Sequence, residues 1–188
     1  FLNFIHMISD EHGLHISQRN ITASTCGIVP NMYRLAEEKL QITLALSLHG
    51  SSQEKRKRLM PIANKYSLDE VLDACDVYFG KTGRRITFEY SLVEGLNDTP
   101  EDVRELTEIL KKRSCHLNLI PVNPIKEREF RKPSRKNALD FENNLERNGI
   151  NVTIRKERGS DIDGACGQLR RRYVSAKEGE AHENLCND

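Results

Sequence analysis

The chain has 188 residues, 37% of them hydrophobic and 30% charged, with a formal net charge of +1. That is the composition of a folded domain, not of a disordered chain, and so small a net charge selects no partner by itself. The longest apolar run, Ile42–Leu48, is seven residues, far short of the roughly 20 that a membrane-spanning helix needs, so no membrane association is expected. The first residues lack the basic stretch and small-residue cleavage site of a secretory signal. The chain opens on Phe1 rather than Met, as a piece of a longer protein would. Five cysteines, Cys26, Cys75, Cys115, Cys166 and Cys186, stand 49, 40, 51 and 20 residues apart. No pair has the spacing of a zinc ribbon, a redox CxxC or a local iron–sulfur motif, so free thiols, a cytoplasmic location and no metal site within this chain are expected.

The elements follow in chain order. Leu2, Ile5 and Ile8 carry a first helix within residues 1–16. Ile21–Thr25 reads as a strand, Met32–Glu38 as a short helix and Ile42–Leu48 as a second strand. Ser67-Leu-Asp-Glu70 is a capping box, followed by Leu68, Val71, Leu72, Cys75 and Phe79 at helical spacing, with Gly80 or Gly83 as the left-handed stop. A third strand spans Ile86–Val93. Thr99-Pro100 is an N-cap with proline at the first helical position, and Val103, Leu106, Ile109 and Leu110 form its stripe. Leu117–Val122 is a fourth strand, Ala138, Phe141 and Leu145 mark a helix closed by Gly149, and Val152–Arg155 is a last strand. The middle three strands read as largely continuous apolar runs, the pattern of strands covered on both faces. Alternating strands and helices predict an α/β fold with a parallel sheet, either a small open sheet or part of a (β/α) barrel. The apolar pattern fades near Arg170, so residues 1–170 are expected to form the domain and 171–188 a polar, mobile tail.

Polar residues gather where these strands end: Ser24-Thr25-Cys26-Gly27, Ser47-Leu48-His49-Gly50, Glu89-Tyr90 running on to Asn97-Asp98, and Pro121-Val122-Asn123-Pro124. In parallel α/β proteins such ends converge on a binding site. His49 suits either a cofactor contact or a bond to a turn carbonyl. Glu89, inside an apolar run, needs a donor or a polar surrounding. The segment after the last strand reads Asp161-Ile-Asp-Gly-Ala-Cys166-Gly-Gln168, a turn of small residues in which a thiol could act as nucleophile or group carrier or lie inert. Cys75, on a helix stripe, and Cys115, at a strand start, read as structural. Three basic clusters, Lys55–Arg58, Lys126–Lys136 with six basic against two acidic residues, and Arg170–Arg172, suit either phosphate contacts or solvated surface. Glycine-rich phosphate loops, HExxH and GxSxG are absent from the sequence, so nucleotide hydrolysis, classical dinucleotide binding and serine hydrolysis have no local support.

Four strings in order, Ser24-Thr-Cys-Gly-Ile-Val-Pro30, Leu44-Ala-Leu-Ser-Leu-His49, Asn118-Leu-Ile-Pro-Val-Asn-Pro124 and Arg155-Lys-Glu-Arg-Gly-Ser-Asp-Ile-Asp-Gly-Ala-Cys-Gly-Gln-Leu169, resemble the C-terminal half of the RlmN/Cfr family of radical S-adenosylmethionine RNA methyltransferases. The resemblance covers about residues 1–170 and implies the later strands and helices of a partial (β/α) radical-SAM barrel. It places Ser24, Ser47, Leu48, His49 and Asn123 on positions that hold S-adenosylmethionine, Leu48 through its backbone or by packing. Cys166 falls on the cysteine that carries the methyl group as transient S-methylcysteine. The family's [4Fe–4S] motif CxxxCxxC, its Gly-Glu-Pro motif, its resolving cysteine and its general base are not in this chain, so the cluster is implied for the complete protein and turnover is not expected of this chain alone. Cys26, where many relatives carry Ser, reads as a tolerated small residue.

The resemblance implies methylation of adenosine carbon 2 in 23S rRNA and in certain tRNAs, with an electron donor for the cluster and a monomeric, cytoplasmic protein. Two other readings use the same residues: methylation at carbon 8 of the rRNA adenosine, as in the Cfr branch, and a non-catalytic RNA-binding remnant that uses the basic clusters. A complete motif around Cys166 speaks against the remnant, which needs no thiol.

Overall fold

A computed structural model describes residues 1–123 and 130–155. The described residues all fall in one compact unit, Phe1–Arg155; a second unit, Lys156–Asp188, and the boundary expected near residue 170 lie outside them. The elements run α1 (Leu2–Ser9), β1 (Thr22–Thr25), α2 (Val29–Glu37), β2 (Thr43–Ser47), α3 (Gln53–Leu59), α4 (Leu68–Thr82), β3 (Ile86–Leu92), α5 (Pro100–Leu110), β4 (Cys115–Pro121), α6 (Arg135–Arg147) and β5 (Val152–Ile154).

All five strands are parallel, and their order across the sheet is β1-β2-β3-β4-β5. That order separates the two architectures left open by the sequence. A doubly wound sheet reverses direction at a switch point and carries helices on both faces. A sheet whose strands follow one another in sequence never reverses, so its helices fall on one side, as in an arc of a (β/α) barrel.

Burial confirms the one-sided layering. Along β3 it alternates without a break: Ile86, Phe88, Tyr90 and Leu92 are buried, and Thr87, Glu89 and Ser91 are half-buried. Leu44, Leu46 and Leu48 extend the apolar face into β2, and Leu117 and Leu119 extend it into β4. The helices cover that face: Val29, Met32 and Ala36 from α2, Val71, Leu72, Cys75 and Tyr78 from α4, Val103 and Leu106 from α5, and Phe141 and Leu145 from α6 join the same core. Among the described residues helices cover one face only, and the expectation of strands covered on both faces is corrected to that extent. Ile86-Thr-Phe-Glu-Tyr-Ser-Leu92 has period 2, the signature of a strand with one buried and one polar face. Only β2 is continuous, because Ala45 is small and buried on the polar side.

Local signals explain where the helices begin and stop. In α4 the capping box is complete, with the Ser67 hydroxyl accepting from the Glu70 amide at 3.2 Å and Glu70 accepting from the Ser67 amide at 2.7 Å. Of the two glycines offered as its stop, Gly83 takes the left-handed conformation at φ 66°, and its amide donates to the Phe79 carbonyl. The buried stripe ends on Tyr78, whose hydroxyl donates to the Ile42 carbonyl at 2.9 Å, while Phe79 is 39% exposed. Both positions have helical spacing from Cys75, and the phenol wins because β2 offers its hydroxyl a partner. The helix α3 has no counterpart among the sequence expectations, since Gln-Glu-Lys-Arg-Lys-Arg hides its single buried position, Arg56, among charges.

Candidate functional site

Register fixes which side chains share the polar face. Parallel partners point the same way, and the pairs Ser24↔Ala45, Ala45↔Thr87, Ser47↔Glu89 and Glu89↔Asn118 string the polar positions together. Ser24 and Ser47 therefore stand on one face near the C-terminal ends of adjacent strands, with Glu89 and Asn118 beside them. Asn123 follows two residues after β4 at the same end of the sheet. Leu48 stands apart from this group. Its side chain is buried in the helix-side core, and its amide donates to the Glu89 carbonyl at 2.9 Å, which leaves its own carbonyl as the group it can offer. Cys166 lies outside the described residues, as do positions 126–129 of the basic stretch Lys126–Lys136 and all of Arg170–Arg172, while Arg131, Lys132, Arg135 and Lys136 are described and exposed.

His49 stands two residues after β2 in the left-handed region, at φ 55°, where non-glycine residues are uncommon. Three bonds hold it there. Its amide donates to the Glu89 carbonyl at 3.2 Å, its Nδ1 accepts from the Ser91 amide at 3.0 Å, and its carbonyl accepts from Asn97 Nδ2 at 3.0 Å. The ring thus accepts a backbone N–H and does not satisfy a turn carbonyl. A neutral imidazole accepting at Nδ1 carries its proton on Nε2, and Nε2 makes no hydrogen bond to a described residue. Burial, and then repulsion from Arg56, lower the pKa of His49 to about 4.

That lowered value gives a pH prediction. The unfolded chain protonates His49 near pH 6.5 and the folded chain near 4, so the unfolded state binds more protons between those values. The contribution is complete above pH 6.5 and is lost as pH falls toward 4, a loss of up to roughly 3 kcal/mol. Urea denaturation at pH 7 and pH 5 is expected to show that slope in the wild type and less of it in His49→Gln. An imidazole that titrates near 6.5 by NMR would contradict it.

Three further side chains build the site: Asn97, already among the polar strand-end residues, Arg56, expected only as part of a basic cluster, and Asp102, which the sequence does not single out. Asn97 is buried; its Nδ2 bonds the carbonyls of His49 and Ser91 and its Oδ1 accepts from the Val93 amide at 2.8 Å. Its place after the third strand marks it as a strand-end polar residue, but not its partners, which lie in and just after β3 and after β2. Arg56 is 0% exposed and donates to the carbonyls of Cys26 (2.9 Å) and Tyr66 (3.4 Å). It joins the loop after β1 to α3, and burial lowers its pKa. Gly50 lets α3 pack against the His49 turn, because a Cβ there would stand 2.5 Å from the Arg56 amide nitrogen. Asp102 is likewise buried. Its carboxylate accepts from Lys55 at 2.8 Å and from the Thr99 hydroxyl at 2.6 Å, and it also bonds the Ser51 hydroxyl. The run Lys55–Arg58 is accordingly not a four-charge phosphate patch: Lys55 is paired, Arg56 is buried, and only Lys57 and Arg58 are exposed. A separate cavity of about 500 Å³ along β1, lined by Phe1, Leu2, Ala23, Ser24 and Met32 among others, reaches Ser24 but neither Ser47 nor His49.

On the polar face near the C-terminal ends of β1–β3 the described residues set hydroxyls from Ser24 and Ser47, an N–H donor from His49 and a carboxylate from Glu89. That set of groups can exchange hydrogen bonds with a polar ligand. It does not fit an iron–sulfur cluster, because among the described residues no three His, Cys, Asp or Glu side chains converge on a metal position. No helix among the described residues is long and apolar enough to cross a membrane.

No model of a protein family matches the chain. It is 59% identical over 173 residues to a curated protein of Lachnospira eligens named "Probable dual-specificity RNA methyltransferase RlmN", covering 92% of this chain and 49% of that protein. The protein of the same name from Lachnoclostridium phytofermentans is 60% identical over 174 residues, covering 93% and 49%. The chain thus spans about half the length of the curated relatives it matches. Among solved structures, a radical SAM methyltransferase from Sphaerobacter thermophilus superposes with a TM-score of 0.84 at 42% identity, over 89% of this chain and 49% of that one. A domain of a pyruvate-formate lyase-activating enzyme from Bacteroides vulgatus shares the fold alone, at a TM-score of 0.56 and 14% identity. With the arc of parallel strands and the polar face already described, these likenesses place the chain in the RlmN family of radical SAM methyltransferases, as the C-terminal half of its members.

Proposed function

We propose that this chain supplies the S-adenosylmethionine-binding strand ends and the methyl-carrying cysteine of a dual-specificity RNA methyltransferase that acts on adenosine carbon 2 in 23S rRNA and in certain tRNAs. The observation that supports it most is the joining of high identity to curated RNA methyltransferases of that name with a polar sheet face bearing Ser24, Ser47 and His49 at neighbouring strand ends. S-adenosylmethionine supplies the methyl group and, in the complete protein with its [4Fe–4S] cluster and an electron donor, the radical chemistry that an unactivated aromatic carbon requires.

The chain's own residues have narrower tasks. Ser24 and Ser47 offer hydroxyls. His49, held neutral, offers an N–H donor that persists through the neutral pH range. Leu48 offers a carbonyl and Asn123 an amide from the end of β4. The motif Gly164-Ala-Cys-Gly167 would set the Cys166 sulfur where backbone bulk is least, so that an adenine ring can approach a methyl group it carries. RNA, as a polyanion, would meet the exposed Lys57 and Arg58 and the basic stretches beyond. A monomeric cytoplasmic enzyme fits these tasks.

The test is nucleoside mass spectrometry. Joined to the remaining half found in its relatives and expressed in cells lacking their own enzyme, the protein is expected to restore 2-methyladenosine to both 23S rRNA and tRNA. 8-Methyladenosine would instead assign it to the other branch of the family, and no methylated adenosine would refute the reading.

A further inference from the structure

We propose that Glu89 is a binding residue of the adenosyl site, its carboxylate accepting hydrogen bonds from the O–H or N–H donors of S-adenosylmethionine. The inference rests on the reading of the strand ends given above and adds a residue that the resemblance does not assign.

Three observations carry it. Period-2 alternation in β3 turns Glu89 to the polar face, where it is half-buried in register with Ser47 on one side and Asn118 on the other. Asn118 Nδ2 donates to Oε2 at 2.9 Å, which fixes the plane of the carboxylate, while Oε1 takes no hydrogen bond from a described residue. The strand itself cannot slide: the Glu89 carbonyl accepts from the amides of both Leu48 and His49, and the Ser91 amide donates to His49 Nδ1. Glu89 is thus oriented by one neighbour, locked to the His49 turn by others, and left with one open oxygen.

Its charge is the complement the site otherwise lacks. S-adenosylmethionine is a net cation at neutral pH, with a sulfonium, an ammonium and a carboxylate, and it carries a ribose diol. Ser24, Ser47 and His49 are neutral at that pH, and Glu89 is the one carboxylate on this face among the described strand residues. An oriented carboxylate is the usual partner of a ribose diol and equally of an ammonium. Both are donors to the same oxygen, and ligands that differ in one of them tell the two apart.

Calorimetric titration of this chain joined to the other half of its relatives' length, with S-adenosylmethionine and with 5′-methylthioadenosine, which keeps the diol and lacks the ammonium, makes the test. Glu89→Gln preserves size and an acceptor for Asn118. It is expected to weaken S-adenosylmethionine binding roughly 10- to 100-fold with an unchanged melting temperature, and Glu89→Asp is expected to recover most of the affinity. A loss with both ligands assigns the diol, and a loss with S-adenosylmethionine alone assigns the ammonium. Wild-type affinity in Glu89→Gln overturns the proposal while the site reading stands. If the wild type binds neither ligand, the site reading itself falls and the proposal with it. A lowered melting temperature without a change in affinity reduces Glu89 to a partner of Asn118.

Discussion

Cys166→Ala, in a protein that carries this chain joined to the other half of its relatives' length, is expected to abolish methyl transfer to RNA while leaving the parallel sheet folded. The expectation follows from what a carrier must do. A free thiol has a reference pKa of about 8.5, so its thiolate is a minority species at neutral pH unless a neighbour shifts it. A bound methyl donor offsets that by proximity, an effect worth several kcal/mol. The wild-type peptide containing Cys166 is expected to be isolated one methylene heavier. Cys75 provides the contrast. It is buried in the α4 stripe, where burial pushes its thiol up to about 12, so Cys75→Ala is expected to cost stability of about 1 kcal/mol and leave methylation intact. Single-turnover assays and peptide mass spectrometry separate the two behaviours. A Cys166→Ala protein that methylates at the wild-type rate would refute the carrier role.

The division between what the sequence announces and what it hides follows the range of the interactions. Strand existence and helix starts are local. Ser67 and Glu70, three residues apart, make a capping box, and Thr99 and Asp102 do the same, so the strands, the other helices and their order are readable from the chain alone, while α3, with its single buried position, is not. The layering is harder to read because apolar content competes with period: Thr87, Glu89 and Ser91 alternate visibly with Ile86, Phe88, Tyr90 and Leu92, and that alternation, not the apolar count, means one polar face. The strand-end residues Ser24, Ser47 and His49 stand out because parallel sheets concentrate chemistry at their C-terminal ends. The long-range partners of Asn97, Arg56 and Asp102 do not. Each bonds residues 30 or more positions away, as Arg56 does with Cys26 and Asp102 with Ser51, and no short-range pattern encodes such a partner. A run of four basic residues looks like one patch until folding buries one of them and pairs another.

The same long-range bonding makes Asp102 the position where substitution is expected to cost most in stability. Its carboxylate caps α5 through the Thr99 amide (3.1 Å) and hydroxyl, and ties α3 to α5 through Lys55 and Ser51. Burial pushes its pKa up, but the hydrogen bonds from Lys55, Ser51 and Thr99 more than offset that and hold it below the usual value. Asp102→Ala removes the cap and leaves these donors facing a site with no acceptor. Breaking a buried charged pair costs about 3–5 kcal/mol, a large share of the roughly 5–15 kcal/mol that holds a typical domain together. Asp102→Asn keeps an oxygen for the cap and loses the charge, so its cost is expected to be smaller. Because the folded carboxyl is the stronger acid, the wild type's advantage over Asp102→Asn is present above the unfolded pKa of about 3.9 and disappears as pH falls through the lower folded value. The damage is also expected to reach the ligand. Ser51 lies two residues beyond His49, and Tyr90, whose hydroxyl lies 3.4 Å from Asp102, donates to the carbonyl of the Asn97 that holds the His49 turn. Urea denaturation at pH 7 and pH 3, with S-adenosylmethionine titrated against whichever variant remains folded, tests both effects. An Asp102→Ala protein with the wild-type midpoint would show that the Lys55–Asp102 pair is peripheral to the fold, and wild-type affinity in Asp102→Asn would show that the bonds to Glu89, Ser91 and Asn97 hold the His49 turn without the Asp102 charge.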